Sequence, residues 1–269
     1  MTRLEQIFAR CRNEKRKALV VYLTASDPDF DTSRRLMLAA AAAGADIIEV
    51  GVPWSDPSAD GIAIQGAMQR ALAAGGGLTP ALALCRAVRA ENKDVGLVLF
   101  GYANPIVVIG PDAFAQRAHD SGADAFLCVD WPPDEGTELL TALTKHDLGF
   151  IPLLAPTSTP ARAAVAASAA RGFMYYVSMT GTTGVKLSDL EGPRKHVAEI
   201  REASGNRHPI VVGFGITNPA DARAIAAFAD GVVVGSAAVR IVEQAAAAKR
   251  DPAPELAAFV KSLAEALRS

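Results

Sequence analysis

Two hydrophobic patterns alternate along the chain. Short apolar runs read as strands: "ALVVYL", "DIIEVGV", "VGLVLFGY", "AFLCVD", "GFIPLLAP", "FMYYVSM", "PIVVGFGI" and "GVVVGSA". They lack clean alternation of apolar and polar positions, as parallel strands buried on both faces should. Between them lie longer segments with helical spacing, among them "SRRLMLAAAAAG", "IAIQGAMQRALAAG", "AFAQRAHDSG", "ELLTALTKHD", "ADARAIAAFA" and "PELAAFVKSLAEAL". Eight strands, each followed by a helix, predict an α/β fold, a (β/α)8 TIM barrel. The amphipathic start, "MTRLEQIFARCRNEKRK", adds an N-terminal helix ahead of it. An open doubly wound sheet is the rival architecture.

An internal echo favours the barrel. Gly44 opens "GADIIEVGVPWSD", Gly122 opens "GADAFLCVDWPPD", and Phe228 opens the shorter "FADGVVVGS". Each follows a helix and leads into a strand, on the second, fourth and eighth strands. A helix C-cap followed by a strand start explains the motif, and its recurrence suits a barrel built by repetition. No Gly/Ser/Pro-rich linker divides the chain, so residues 1–269 read as a single domain.

Composition narrows the function classes. The chain has 269 residues, half of them hydrophobic, enough for one large core. Net charge is −2 without blocks of one sign, which argues against a nucleic-acid or membrane surface. Cys11, Cys85 and Cys128 have no metal-ligand spacing, and Cys128 falls in an apolar run as a core thiol would. The N-terminus has no apolar signal core, and no apolar run is long enough to cross a bilayer. The expectation is a cytoplasmic protein.

In such barrels chemistry sits at the C-terminal ends of the strands. Here those ends carry "YLTASD", "EVGVPWSDPSAD", "FGYANP", "VDWPP", "YYVSMTGTTG", "GFGI" and "GSA", while Lys93 and Lys145 lie on the opposite rim. Glu49 interrupts a buried strand and shares parity with Ile47 and Gly51. Pointed into the barrel mouth, its carboxyl would be desolvated and its pKa raised, as a proton donor and acceptor requires. The structural alternative is a glutamate satisfied by backbone amides or an arginine. Asp60 ends the next loop, where a helix N-cap would also account for it. Asp56, before Pro57, reads as an ordinary turn residue, and "DPSADG" lacks the alternate oxygen ligands of a calcium loop. Glycines after strands six, seven and eight, in "GTTG", "GFG" and "GS", allow close backbone approach and main-chain binding of a phosphate.

With these residues in hand, the chain resembles the tryptophan synthase α-subunit family over essentially its whole length. The most specific match is "EVGVPWSDPSADG"; others are "YANPI", "PLLAPTST", "YYVSMTGTTG", "GFGI" and "GSA". The resemblance implies retro-aldol cleavage of indole-3-glycerol phosphate to indole and glyceraldehyde 3-phosphate. It implies Glu49 as general acid–base, Asp60 as the carboxylate facing the indole nitrogen, Tyr175 near the reacting centre and Thr183 as the residue positioning Asp60. Tyr22, Phe100 and Leu127 would surround the indole ring, and Gly184, Gly215, Gly235 and Ser236 would bind phosphate. It implies no cofactor in this chain, and a β-subunit partner in an α2β2 tetramer, holding pyridoxal phosphate and receiving the indole. Trp54 stands where the family has Phe, "DGIAIQ" lacks the usual Pro, Thr182 replaces a Val, and Lys186 adds a charge. These departures fall in loops that, by resemblance, close the site and touch the partner.

Three other functions compete. Indole-glycerol-phosphate synthase needs lysines at strand ends, where this chain has none. A ligand-binding regulatory barrel would not need both Glu49 and Asp60. A stand-alone indole-releasing lyase shares every residue named above.

Overall fold

The computed structural model describes residues 1–177, 190–213 and 215–268. Strands form where the chain is apolar on both faces: β1 (Ala18–Thr24), β2 (Ile47–Gly51), β3 (Gly96–Gly101), β4 (Ala125–Cys128), β5 (Gly149–Phe150), β6 (Leu153–Leu154), β7 (Met174–Val177), β8 (Ile210–Gly213) and β9 (Gly231–Val234). All pair in parallel, in the order β5-β4-β3-β2-β1-β9-β8-β7-β6. β5 and β6 stand at opposite ends of that order yet only Ile151 and Pro152 separate them, so the sheet closes into a barrel. The sequence predicts one strand here. Pro152 has no N–H to give the ladder, and the run is recorded as two pieces. Across the break Ile151 still donates to Phe126 O, and Tyr175 N–H donates to Pro152 O, both at 3.0 Å. Counted as one stave, β5 and β6 complete the expected eight.

The helices are α1 (Arg3–Asn13) ahead of the barrel, α2 (Phe30–Ala42) after β1, and α3 (Ile62–Ala73) with α4 (Leu78–Glu91) after β2. Next come α5 (Ala103–Ile109) and α6 (Pro111–Asp120) after β3, then α7 (Thr137–Lys145), α8 (Pro160–Ala169), α9 (Glu191–Ala203) and α10 (Pro219–Ala226). Last are α11 (Ser236–Ala247) and α12 (Ala253–Ala266) after β9. Among the described residues three strands are thus followed by two helices, which the one-helix-per-strand reading does not give. The breaks fall at residues that end helices: Gly75 and Gly77 at φ +81° and +154°, Gly110 at φ +86° before Pro111, and Pro252. Among the described residues no single helix is long and apolar enough to cross a membrane.

Strand parity divides the core. Ala18, Val20, Ile47, Val98, Ala125, Leu127, Ile151 and Tyr175 face the barrel interior, in one cluster with Leu4, Ile7, Phe8 and Cys11 of α1. That helix, started by a Thr2–Glu5 capping box, stoppers the N-terminal end of the barrel. It fits because residue 96 is glycine: a Cβ there would lie 2.9 Å from Leu4 and 3.0 Å from Ile47. The other parity, Leu19, Val21, Ile48, Val50, Leu97 and Leu99, packs beneath the surrounding helices.

The repeated Ala-Asp motif has a definite job at this end. The Asp46, Asp124 and Asp230 carboxylates accept the N–H of Leu19, Leu97 and Ile210 at 3.0, 2.8 and 2.9 Å, one strand back. Their main-chain carbonyls accept from Gly96, Gly149 and Ala18, one strand on. Each aspartate thereby stitches three neighbouring strands, and each pairs with arginine: Asp46 with Arg16 (2.7 Å), Asp124 with Arg89 (2.8 Å) and Asp230 with Arg201 (2.8 Å). Gly44 and Gly122 precede the motif at φ +113° and +79°, the left-handed turn that ends α2 and α6.

Candidate active site

Glu49 points inward from β2, in register between Tyr22 of β1 and Val98 of β3. It is wholly buried, and neither carboxyl oxygen has a hydrogen-bond partner. The structural alternative of backbone or arginine satisfaction therefore does not apply. Desolvation pushes its pKa up to about 8, so the group is protonated at neutral pH. A buried polar group without a partner costs stability, and groups perturbed in this way cluster at functional sites.

Two tyrosines flank it, each laid across a glycine. The Tyr22 hydroxyl lies where a Cβ on Gly51 would approach within 2.2 Å, and the Tyr175 hydroxyl where a Cβ on Gly213 would approach within 2.4 Å. Both phenols are pushed well above their ordinary pKa, first by burial and further by the nearby Glu49 and Asp60 carboxylates. The four groups thus lie close enough to act on one another. Phe100 meets Tyr22 edge-on at 5.2 Å between ring centroids, and buried Leu127 lines the interior below. The apolar walls suit a flat aromatic ring.

Asp60 is not the helix cap its position suggested. Gly61 occupies the N-cap of α3 and supplies no side-chain bond. The Asp60 carboxylate instead accepts a 2.6 Å hydrogen bond from the Tyr102 hydroxyl, which in turn accepts from the Ala59 N–H at 3.1 Å. Burial raises the Asp60 pKa to about 6 and the Tyr102 bond opposes the rise, leaving the group mostly ionised at pH 7. One protonated and one ionised carboxyl, separated by environment alone, is the arrangement an acid–base site needs.

The remaining rim is glycine-rich. Gly215 takes φ +62°, with nothing within 4 Å of where a Cβ would be. Gly235 stands at the N-cap of α11 with no side-chain cap, so the first N–H groups of Ser236 and its neighbours have no partner within the helix. A polar cavity of about 230 Å³ lies at the other end of the barrel, lined by Arg10, Arg16 and Asp46. The charges there already pair with one another.

Comparison with known proteins gives the family. A family model described as "Tryptophan synthase alpha chain" matches residues 8–268. The chain belongs to that family. The tryptophan synthase alpha chain of Geobacter sulfurreducens is 46% identical over 267 residues, 99% of each chain. That of Methylibium petroleiphilum is 44% identical over 273 residues, spanning 100% of this chain and 97% of its own. Tryptophan synthase subunit alpha from Legionella pneumophila superposes with a TM-score of 0.92 at 35% identity, covering 99% of this chain and 98% of its own. A chain of tryptophan synthase from M. tuberculosis does so with a TM-score of 0.89 at 35% identity, covering 100% and 99%. Membership of the tryptophan synthase alpha chain family carries a TIM-barrel fold and a lyase role in tryptophan biosynthesis.

Within this family member the structure gathers Glu49, Asp60, Tyr22 and Tyr175 at one barrel mouth. Phe100 and Leu127 form the wall, and Gly215, Gly235 and Ser236 lie on the rim. Thr183 and Gly184 lie outside the described residues, as do Thr182 and Lys186. Tyr102 is the site residue that sequence reading missed. It sits in the quoted "YANPI" on the correct rim, but a bond spanning 42 residues to Asp60 has no local signature.

Proposed function

We propose that this chain cleaves indole-3-glycerol phosphate into indole and glyceraldehyde 3-phosphate. The observation that carries the reading is Glu49, buried without a partner and protonated at neutral pH. In the first step the Glu49 carboxylic acid gives its proton to indole C3, and the ring nitrogen becomes positive. Ionised Asp60, oriented by Tyr102, stabilises that charge electrostatically. The Glu49 carboxylate, now a strong base in a dry site, removes the proton from the hydroxyl on the adjacent carbon. Its electrons form the new carbonyl, the carbon–carbon bond breaks, and the bonding pair returns to the ring to release indole. Glu49 regains its proton, so the cycle balances without an outside acid or base. General acid–base catalysis of this kind is worth about 10²–10⁴-fold, and positioning with the Asp60 charge supplies the rest. Glu49→Gln keeps shape but cannot exchange a proton. It should abolish indole release while inorganic phosphate still binds, and near-normal turnover would reject the assignment.

We also infer a β-subunit partner, in an α2β2 assembly, that carries pyridoxal phosphate and receives the indole; this chain itself needs no cofactor for the steps above. Ile62, Val107 and Val108 support the partner, being large apolar side chains exposed at 74%, 59% and 75% on helices that leave the site's rim.

A further inference from the structure

Two of the additional helices, α3 and α11, roof part of the barrel mouth. They pack on each other and over β1, where Ala63, Ile64, Ala67 and Val239 cover Tyr22. Each starts from a piece of the site: Asp60 and Gly61 lead into α3, and Gly235 leads into α11. Around Tyr22 the two helices contribute mostly small side chains, Ala63 and Ala67 of α3 and Val239 of α11.

One side chain fixes both. Arg70, two turns into α3, donates from Nε and Nη2 to the two oxygens of Asp27, each at 2.9 Å. Its Nη1 donates to Glu243 Oε1 of α11 at 3.1 Å. Asp27 is buried in the turn between β1 and α2, so the fork is anchored to the barrel itself. Among the described residues, Arg70 makes the only side-chain hydrogen bonds from α3 to any element beyond its own preceding loop; Gln65 merely turns back to Asp60 O. A planar guanidinium held at two points sets orientation as well as distance, which a single ammonium cannot.

We infer that Arg70 is a positioning residue that holds Asp60 and the α11 phosphate turn at a fixed separation by clamping both roof helices to the β1–α2 turn. The inference rests on the proposed phosphate turn for its effect on binding, and on the proposed reaction only for its catalytic consequence. A rigid helix transmits a shift at Arg70 to its own N-terminus, where Asp60 is attached. The same holds for Glu243 and the Gly235 turn. Loosening the clamp therefore degrades ligand binding and charge stabilisation together, although Arg70 touches neither.

The test uses the full chain with Arg70→Lys and, separately, Glu243→Gln. Inorganic phosphate affinity is measured by calorimetry, indole release by absorbance, and folding by thermal melt. A lost orienting fork of this strength should weaken phosphate binding and lower kcat/KM by about tenfold each in Arg70→Lys. Glu243→Gln, which removes only the half-exposed arm, should lose about twofold to threefold. Should Arg70→Lys fold poorly, the Glu243→Gln phosphate result decides. A lowered Tm with unaltered phosphate affinity, kcat and KM in the folded variants would mean a purely structural ion pair and overturn the inference. If the wild-type chain releases no indole but the variants still lose phosphate affinity, the clamp stands and the lyase reading falls.

Discussion

The carboxyl of Glu49 sits in a dry site at a cost, and that cost can be measured without any substrate. In the unfolded chain a glutamate ionises near pH 4.5; in the fold it holds its proton to about pH 8. Between those values the native state binds more protons than the unfolded state. Stability contributed by the group is therefore fully present below pH 4.5 and is lost as pH rises toward 8. The wild-type protein should lose stability with a slope approaching about 1.4 kcal/mol per pH unit over that window, reaching a penalty of about 3 kcal/mol at pH 7. Glu49→Gln removes the titration while adding a constant cost for its buried amide. The stability of the variant relative to wild type should thus rise by about 3 kcal/mol between pH 5 and pH 8, whatever its offset. Urea unfolding of both proteins across that range reads it directly. Parallel curves would show that residue 49 ionises normally in the fold, and the proton-shuttle argument would have no starting acid.

Other expectations follow from the same geometry. Tyr102→Phe removes the bond that holds the Asp60 pKa down, so the acid limb of the kcat/KM profile should move to higher pH, with a larger loss at pH 6.5 than at pH 8.5; an unmoved limb would separate Tyr102 from Asp60. Gly213→Ala puts a Cβ 2.4 Å from the Tyr175 hydroxyl and should lower kcat/KM by about 10²-fold through displacement of that ring; wild-type kinetics would show that Tyr175 does not need its place. Asp46→Ala takes from Arg16 one of its two carboxylate partners, Glu14 remaining, and from the Leu19 N–H its acceptor, which should cost about 1–3 kcal/mol of stability with no change in kcat of the folded protein. Gly235→Val should weaken phosphate binding, measured by competition with substrate, by setting a branched side chain beside the first N–H groups of α11; a Cβ alone there makes only ordinary contacts, at 3.5–3.9 Å, with Tyr22 and Ile64.

Much of the fold was legible because burial leaves marks in sequence. Period-two parity sent Glu49 to the same face as Ile47, whereas its register with Tyr22 and Val98 comes only from the strand pairing. The Gly-Ala-Asp echo pointed to a repeated turn. Its deeper reason, a carboxylate capping the previous strand, depends on strand neighbours that only the closed sheet supplies. Pro152 was visible, yet its splitting of the fifth stave was not drawn from it. The doubled helices after β2, β3 and β9 were hidden because helical periodicity reports a face, and a break at Gly75–Gly77 or Gly110 looks like any loop. Asp60 was legible as a candidate carboxylate, but its cap alternative fell only in three dimensions, where Gly61 takes the cap and Tyr102 takes the carboxylate. Arg70 was equally silent. An arginine on a helix is ordinarily a solvated charge, and its partners lie 43 and 173 residues away.

The central claim is that Glu49 moves a proton to a ring carbon and back from an alcohol. Its most direct measurement is the release of indole from indole-3-glycerol phosphate by wild type and Glu49→Gln, each with and without a β subunit. The account predicts release by the wild-type chain, faster with the β subunit, and none by the variant even though it binds inorganic phosphate normally. Indole appearing at comparable rates from both proteins would contradict it.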